Sequence, residues 1–378
     1  MLIGAWLDVT SHRVAGSRLT LFQAGRQGRY TQHDRDRKGL SDIDRVEVGE
    51  RERVVLVSLA EDEDVLPHFR AAFMGALDSA DATAYDATAA YAVSFAHATP
   101  AGPDIVGLAV APPIRLTAAH LAALPGLRIA AAASAGFDHL DVSALAAAGV
   151  PVTHTPGYCD IEVADHVIAM TTALLRNLQV GDAHARAGGW SSRAVGAKRI
   201  TGSVLGIVGL GRTGALVARR AVALGMEVLA WAPRTSLANI RELSVTPVAT
   251  VGELLSSSDV VSLHVPLTPH TKNLIDADAL ARMRRGAALV NCGRGELVDH
   301  DALRAALESG HLAGAALDVL DAEPPPVDHV AFGLPHTIIT PHLAWLSPQS
   351  EFAAYEMAAR EIAAVLRGRS PRHGIAGR

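Results

Sequence analysis

Three residue types that do chemistry stand in short segments at the ends of apolar runs. Arg294 lies in Asn291-Cys-Gly-Arg-Gly-Glu-Leu-Val-Asp299, Glu323 in Gly314-Ala-Ala-Leu-Asp-Val-Leu-Asp-Ala-Glu-Pro324, and His342 in Thr340-Pro-His-Leu-Ala-Trp345. An arginine fork matches the geometry of a carboxylate. A histidine oriented and kept charged by a carboxylate suits delivery of a proton to an oxygen that is gaining electrons. Together they would serve a reaction that holds an anionic substrate by its carboxylate and protonates an oxygen as it gains electrons. Singly, each has a plainer explanation: His342 as a satisfied core histidine, Glu323 as an acid at a helix start, Arg294 as a surface charge.

A second constellation precedes these. Ser203-Val-Leu-Gly-Ile-Val-Gly-Leu-Gly-Arg-Thr-Gly214 sets Gly209, Gly211 and Gly214 at GxGxxG spacing between an apolar strand run and a helical run. Gly209 permits a tight turn, Gly211 lets the backbone approach a pyrophosphate, and Gly214 allows close helix–strand packing. The helix that opens at Arg212 and Thr213 supplies N–H groups to an anion. An acid about 20 positions further on would bind the adenosine ribose hydroxyl, but that slot holds Ala232 in Trp231-Ala-Pro-Arg-Thr-Ser236. Arg234 offers a fork to a 2′-phosphate, with the Thr235 and Ser236 hydroxyls beside it. The expectation is therefore NADP as cofactor. The alternative keeps Arg234 as a solvated loop residue, with backbone atoms holding the ribose of NAD.

The elements that must position these residues alternate along the chain. Apolar runs predict strands over 54–57, 105–110, 129–133 and 151–154, separated by helical patterns that include Val65, Leu66, Phe69 and Phe73. A long helix over 161–177 leads to a second series of strands over 204–208, 228–231, 260–265, 287–291, 314–319 and 337–340, closed by a helix over 349–367. Such alternation predicts an α/β fold of two doubly wound parallel-sheet, Rossmann-like domains. The substrate domain is read as discontinuous, over 53–160 and 344–378, with the dinucleotide-binding domain over 161–343. Residues 1–52 carry charge without apolar periodicity, as in Arg26-Gln-Gly-Arg-Tyr-Thr-Gln-His-Asp-Arg-Asp-Arg-Lys38. A disordered extension, or a start codon placed too early, is favoured there over a basic arm that contacts a partner.

Composition narrows the functional classes. At 378 residues, 49% hydrophobic and 19% charged, the chain is not disordered as a whole. A net charge of −5 without a dense basic tract in the body argues against a nucleic-acid binder. The apolar run over 105–114 is about half the roughly 20 residues a membrane span needs, so no membrane partner is expected. Met1 to Leu7 lacks the basic head of a signal peptide and Asp8 interrupts it, so a reducing, cytoplasmic location is the expectation. The two cysteines, Cys159 and Cys292, allow no four-cysteine metal site, and no metal is expected. Aromatics are only 4%, so packing must rest on Ala, Val and Leu.

The motifs in their order resemble the D-isomer-specific 2-hydroxyacid dehydrogenase family from about residue 54 to about residue 367. They are GLGRTG at 209–214, HVPLTPHTKNLID at 264–276, NCGRGELVD at 291–299, ALDVLDAEP at 316–324 and TPHLAW at 340–345. The resemblance implies that His342 is the general acid in reduction, that Glu323 orients and charges it, and that Arg294 binds the substrate carboxylate. It implies a carboxylate-cradling backbone at Ala135 and Gly136, within Ser134-Ala-Gly-Phe137. It also implies cofactor contacts at Val265, Pro266 and Thr271, a loop beside the nicotinamide ring at Cys292 and Gly293, and a carboxamide contact at Asp318. Tyr158, Cys159 and Trp345 fall where a substrate side chain is enclosed, although packing between domains is an equal reading of them. A largely apolar 2-oxo acid and a homodimer with an arm over 178–200 complete what the resemblance implies.

Three rivals remain beside this reading. Arg176-Asn-Leu with Gly188-Gly-Trp190 is similar to formate dehydrogenases, yet Glu323 stands where those enzymes carry glutamine, and Cys159 where their formate-binding asparagine lies. A nucleotide-sensing corepressor of the C-terminal-binding-protein type shares the trio and a Trp three residues after the histidine. A phosphoglycerate dehydrogenase with a C-terminal effector domain is disfavoured by the length that follows the last helix.

Overall fold

Runs of small and β-branched apolar residues become parallel strands covered on both faces, the arrangement that the helices between them impose. The computed structural model describes residues 52–57, 62–78 and 91–375. The expectation of a disordered extension over 1–52 lies outside the described residues, apart from Glu52, which opens the first strand instead. Arg53, at the head of the first strand, is ion-paired to Asp104.

Six strands form the first sheet: β1 Glu52–Val57, β2 Tyr91–Ala96, β3 Ile105–Val110, β4 Ile129–Ala132, β5 Val152–Thr153 and, from the chain's far end, β13 Gly374–Ile375. Their order is β13-β5-β4-β3-β1-β2, parallel throughout except for β13. The second sheet holds β6 Val204–Val208, β7 Glu227–Trp231, β8 Thr246–Pro247, β9 Val260–Leu263, β10 Ala288–Asn291, β11 Gly314–Leu317 and β12 Thr337–Ile339. Its order is β12-β11-β10-β9-β6-β7-β8, all parallel. In each sheet the strand order reverses beside the first strand, between β1 and β3 and between β6 and β9. Open α/β sheets bind ligands at such switch points. Sequence periodicity located most of these strands to within a residue or two, but β2, β8 and β13, all at sheet edges, were not among those expected.

Alternate residues of each strand serve opposite faces. Val54, Leu56, Val106, Ala109, Ile129 and Ala131 pack against helices α1 Asp62–Asp78 and α4 Pro348–Leu366, whose Ala358, Ala359, Ile362 and Ala363 are fully buried. Phe69 and Phe73 of α1 are the largest fully buried side chains in that layer, and alanine is the commonest residue around them. In the second sheet Leu205, Ile207, Val228 and Ala230 face helices α2 Asp160–Leu175 and α3 Arg212–Ala223. There Ala164, Val167 and Met170 of α2 meet Val217, Ala218 and Ala221 of α3 in one buried cluster. Ion pairs Asp160–Arg212 and Asp165–Arg220 bind the same two helices along their exposed edge. Among the described residues no helix is long and apolar enough to cross a membrane.

Candidate active site

The turn after β6 is built as its three glycines require. Gly209 sits at φ +100, and a Cβ there would lie 2.7 Å from the His264 carbonyl oxygen at the end of β9. A Cβ on Gly214 would lie 2.3 Å from the Gly209 oxygen, so α3 packs directly on the turn. A Cβ on Gly211 meets nothing within 4 Å, so this face of the turn is open. No side chain caps α3, and its first-turn N–H groups remain available to an anion. These observations fit the pyrophosphate of a dinucleotide. The Arg212 and Thr213 side chains, however, turn to Asp160, with Nε–Oδ2 2.9 Å and Oγ1–Oδ1 3.2 Å.

At the ribose end Ala232 is half-buried against the core, and the turn is closed by Thr235 N–H to the Ala232 carbonyl at 3.0 Å and Thr235 Oγ1 to the Leu210 carbonyl at 3.3 Å. Arg234 is exposed and, among the described residues, makes no hydrogen bond or ion pair. Beside it, Ser236 follows on the exposed side of the turn. The loop after β9 carries Val265 and Pro266, and the Thr271 hydroxyl closes it by donating to the Pro266 carbonyl at 2.7 Å. His264 shares a hydrogen bond with Ser262 Oγ at 2.9 Å, and burial pushes its imidazole down to about 4, so it is neutral.

Asn291, buried at the end of β10, shapes the loop that carries the arginine. Its Oδ1 accepts from Gly293 N–H at 3.0 Å and its Nδ2 donates to the Arg294 carbonyl at 2.9 Å. Arg294 donates from Nε to Asp138 Oδ2 at 3.0 Å and from Nη1 to the Gly293 carbonyl at 2.8 Å. Its Nη2 reaches Gly136 so closely that a Cβ built there would lie 1.8 Å away. The Ala135 carbonyl is held by His154 Nδ1 at 2.8 Å, and the Gly136 carbonyl by Ser134 Oγ at 2.6 Å. The fork tip and the backbone at 135–136 therefore stand side by side, a setting for an anion.

Glu323 Oε2 accepts from His342 Nδ1 at 2.5 Å, and Glu323 Oε1 accepts from Leu320 N–H at 3.0 Å. Burial alone would raise the Glu323 carboxyl. The His342 hydrogen bond and charge, the Leu320 N–H and the Arg294 guanidinium outweigh that and hold it below the ordinary glutamate value. His342 adopts φ +52, a conformation that costs a non-glycine residue about 1–2 kcal/mol. Asp318, 2% exposed, holds it there. Its carboxylate accepts from Leu343 N–H at 2.9 Å, Ala344 N–H at 3.0 Å and Thr340 Oγ1 at 2.6 Å, while its carbonyl accepts from His342 N–H at 2.8 Å. Asp318 was expected at the nicotinamide carboxamide; in the structure its carboxylate is taken up by the histidine loop. His166 of α2 adds a contact to Thr340 Oγ1 at 3.1 Å.

Tyr158 and Trp345 approach with ring centroids 6.2 Å apart, tilted by 53°. Burial raises the Tyr158 hydroxyl and, with opposing help from Tyr158, pushes the Cys159 thiol up to about 11; both are neutral near pH 7. Burial, reinforced by Asp318, likewise lifts Cys292 well above its ordinary value, and its Sγ lies 3.7 Å from Met170 Sδ. Neither thiol is set up as a nucleophile. Among the described residues no group of three or more His, Cys, Asp or Glu is placed to hold a metal ion. Sequence reasoning missed Asp138, Asp160, Asn291, Gly295 and Thr340. Of these only Asn291 carried a signal, as a polar side chain ending an apolar strand.

Two doubly wound sheets with a glycine turn at the β6/β9 switch point define a Rossmann-like dinucleotide-binding protein. The family model of the D-isomer specific 2-hydroxyacid dehydrogenase NAD-binding domain matches residues 168–344. A glyoxylate reductase of Korarchaeum cryptofilum is 40% identical over 224 residues, 58% of this chain and 67% of that protein. A D-3-phosphoglycerate dehydrogenase of Bacillus subtilis is 36% identical over 219 residues, 58% of this chain, and the match spans only 41% of that longer protein. Among solved structures, a Granulicella formate dehydrogenase is 32% identical with TM-score 0.69, covering 76% of this chain and 80% of its own. The chain belongs to the D-isomer-specific 2-hydroxyacid dehydrogenase family.

A Cβ on Gly295 would lie 1.9 Å from the Leu320 carbonyl carbon, so the arginine loop and the segment leading to Glu323 touch backbone to backbone. Gly295→Ala should lower unfolding stability by about 1–3 kcal/mol or more, because no flexible side chain can yield there. Denaturant titration checks it; an unchanged midpoint would show that the two loops are not in contact.

Proposed function

We propose that the protein is an NADPH-favouring oxidoreductase that interconverts a small 2-oxo acid and its D-2-hydroxy acid. The observation that carries this reading is the His342–Glu323 hydrogen bond at 2.5 Å, with Arg294 Nη2 set against Gly136. The bound nicotinamide cofactor supplies or accepts the hydride. Residues 209–214 would hold its pyrophosphate, and Arg234, with Thr235 and Ser236, the 2′-phosphate. Val265, Pro266, Thr271, Cys292 and Gly293 would line the rest of the cofactor site.

Arg294 binds the substrate carboxylate through Nη2, since Nε and Nη1 are committed to Asp138 and Gly293, which aim the fork. The backbone of Ala135 and Gly136 cradles the same carboxylate. His342, oriented by the ionised Glu323, gives a proton to the carbonyl oxygen in reduction and takes it back in oxidation. Tyr158, Cys159 and Trp345 enclose the substrate side chain with apolar surface and keep water from the reacting atoms. Glu323 in place of glutamine, and Cys159 in place of asparagine, argue against formate as substrate.

Organisation follows the two sheets. The proposal assigns 53–160 and 344–378 to a substrate domain and 161–343 to a cofactor domain. A second copy of the chain is the expected partner through the segment 178–200, where Leu178 and Trp190 are 61% and 95% exposed. Free thiols at Cys159 and Cys292 are in keeping with a reducing cytoplasm.

One kinetic panel tests the reading: NADH and NADPH crossed with glyoxylate, hydroxypyruvate, pyruvate and phenylpyruvate. Turnover with at least one 2-oxo acid is expected, with the higher kcat/KM for NADPH. Tight cofactor binding without turnover would favour a nucleotide sensor instead. Arg234→Ala should raise the KM for NADPH about tenfold and leave that for NADH unchanged, the scale of one lost charge-assisted hydrogen bond. His342→Ala should lower turnover at least about 10²-fold. Glu323→Gln, which removes the carboxylate that accepts from His342 Nδ1, should lower turnover about tenfold or more and leave the KM for NADPH unchanged. Unchanged turnover would remove Glu323 from this role.

A further inference from the structure

Asp160 places a carboxylate beside the turn that fits an anion. It opens α2 directly after the loop 155–159, and its carboxylate engages the first two residues of the helix that fits a pyrophosphate. Its side chain is only 18% exposed, whereas the Arg212 side chain that it grips is 63% exposed and within reach of an incoming anion. Gly157 lies beside the same pair: a Cβ there would stand in ordinary contact, 3.5 Å from Asp160 Oδ2 and 3.6 Å from Arg212 Nε. One residue further along, the loop carries Tyr158 and Cys159. The anion-binding turn and the substrate-enclosing loop therefore meet at a single ion pair.

Resting on the proposed cofactor site, we infer that Asp160 is a positioning residue that transmits occupancy of the pyrophosphate site to the loop 155–159. A dianion arriving at the start of α3 attracts Arg212 and repels the Asp160 carboxylate, both through charge at close range. Arg212 loosens its hold on Asp160, and the loop that Asp160 anchors is released from the position seen with the pair intact. The same acid holds cofactor affinity down, because its charge opposes the pyrophosphate. The Asp165–Arg220 pair lies further along the same helix pair and bridges the same elements away from the turn, so it does not share this function.

The test uses the full chain and NADPH as probe, with Asp160→Asn, isosteric and uncharged, and Asp165→Asn as control. Fluorescence titration at low salt should show NADPH binding about 3- to 10-fold tighter in Asp160→Asn, the scale of removing one nearby charge. The difference should collapse in about 0.5 M NaCl, where the Debye length shrinks to a few ångströms. Hydrogen–deuterium exchange of a peptide covering 154–160 should respond to NADPH in the native protein and in Asp165→Asn, and not in Asp160→Asn. Unchanged or weaker NADPH binding in Asp160→Asn overturns the inference, as does an exchange response equal to the native one. Reproduction of both effects by Asp165→Asn would assign them to loosening of the helix pair and overturn it equally. Native protein that binds neither NADPH nor NADH overturns the cofactor site itself, an outcome distinct from the others.

Discussion

A carboxylate sealed from water must find donors inside the protein, and the way Asp318 finds them determines where His342 stands. The donors nearest the end of β11 belong to the loop that follows β12, so that loop is drawn around the carboxylate. Two successive N–H groups, of Leu343 and Ala344, point at that one side chain, and the residue before them turns into the left-handed region. That residue is His342, at φ +52. The local strain of about 1–2 kcal/mol is outweighed by satisfying a buried acid, since each unmade bond to a charged group is worth more. The imidazole is thereby turned toward Glu323 before any substrate arrives.

Charge is arranged around that histidine by the same logic. Glu323 has one oxygen on the Leu320 N–H and the other on His342, so its position is fixed from both ends. Arg294 has two of its three nitrogens committed, to an acid and to its own loop's carbonyl, leaving one directed at the backbone of Gly136. A cation so restrained loses little freedom when it meets a carboxylate. Gly295 lets the arginine loop lie against the Leu320 backbone, which is how residues far apart in the chain come to share one field.

Much of this was legible in the chain itself. The glycine spacing at 209–214 named the turn, in which Gly209 takes φ +100 and Gly214 leaves no room for a Cβ beside the Gly209 oxygen. Arg294, Glu323 and His342 were singled out by residue type and by position at the ends of apolar runs. Asp138 and Asp160 were not, because an acid in an exposed loop or in the first turn of a helix carries no signal until its partner's position is known. Asp318 shows the converse: it was noticed, but its burial and its three donors were not readable from a motif. The strand β2 escaped because an edge strand need not show the unbroken apolar run of a central one.

The sequence by itself determined the elements, their alternation and the residue types available for chemistry, since periodicity and glycine spacing are local properties of a chain. It also determined that packing would rest on small residues, as the scarcity of aromatic side chains requires. Only the tertiary structure decided which polar atoms satisfy one another across 25 to 156 residues of chain: Arg294 with Asp138, Asp160 with Arg212, Asp318 with the backbone after His342. Those pairings depend on two sheets and the helices between them bringing distant loops together. No local pattern encodes a partner that distant in the chain.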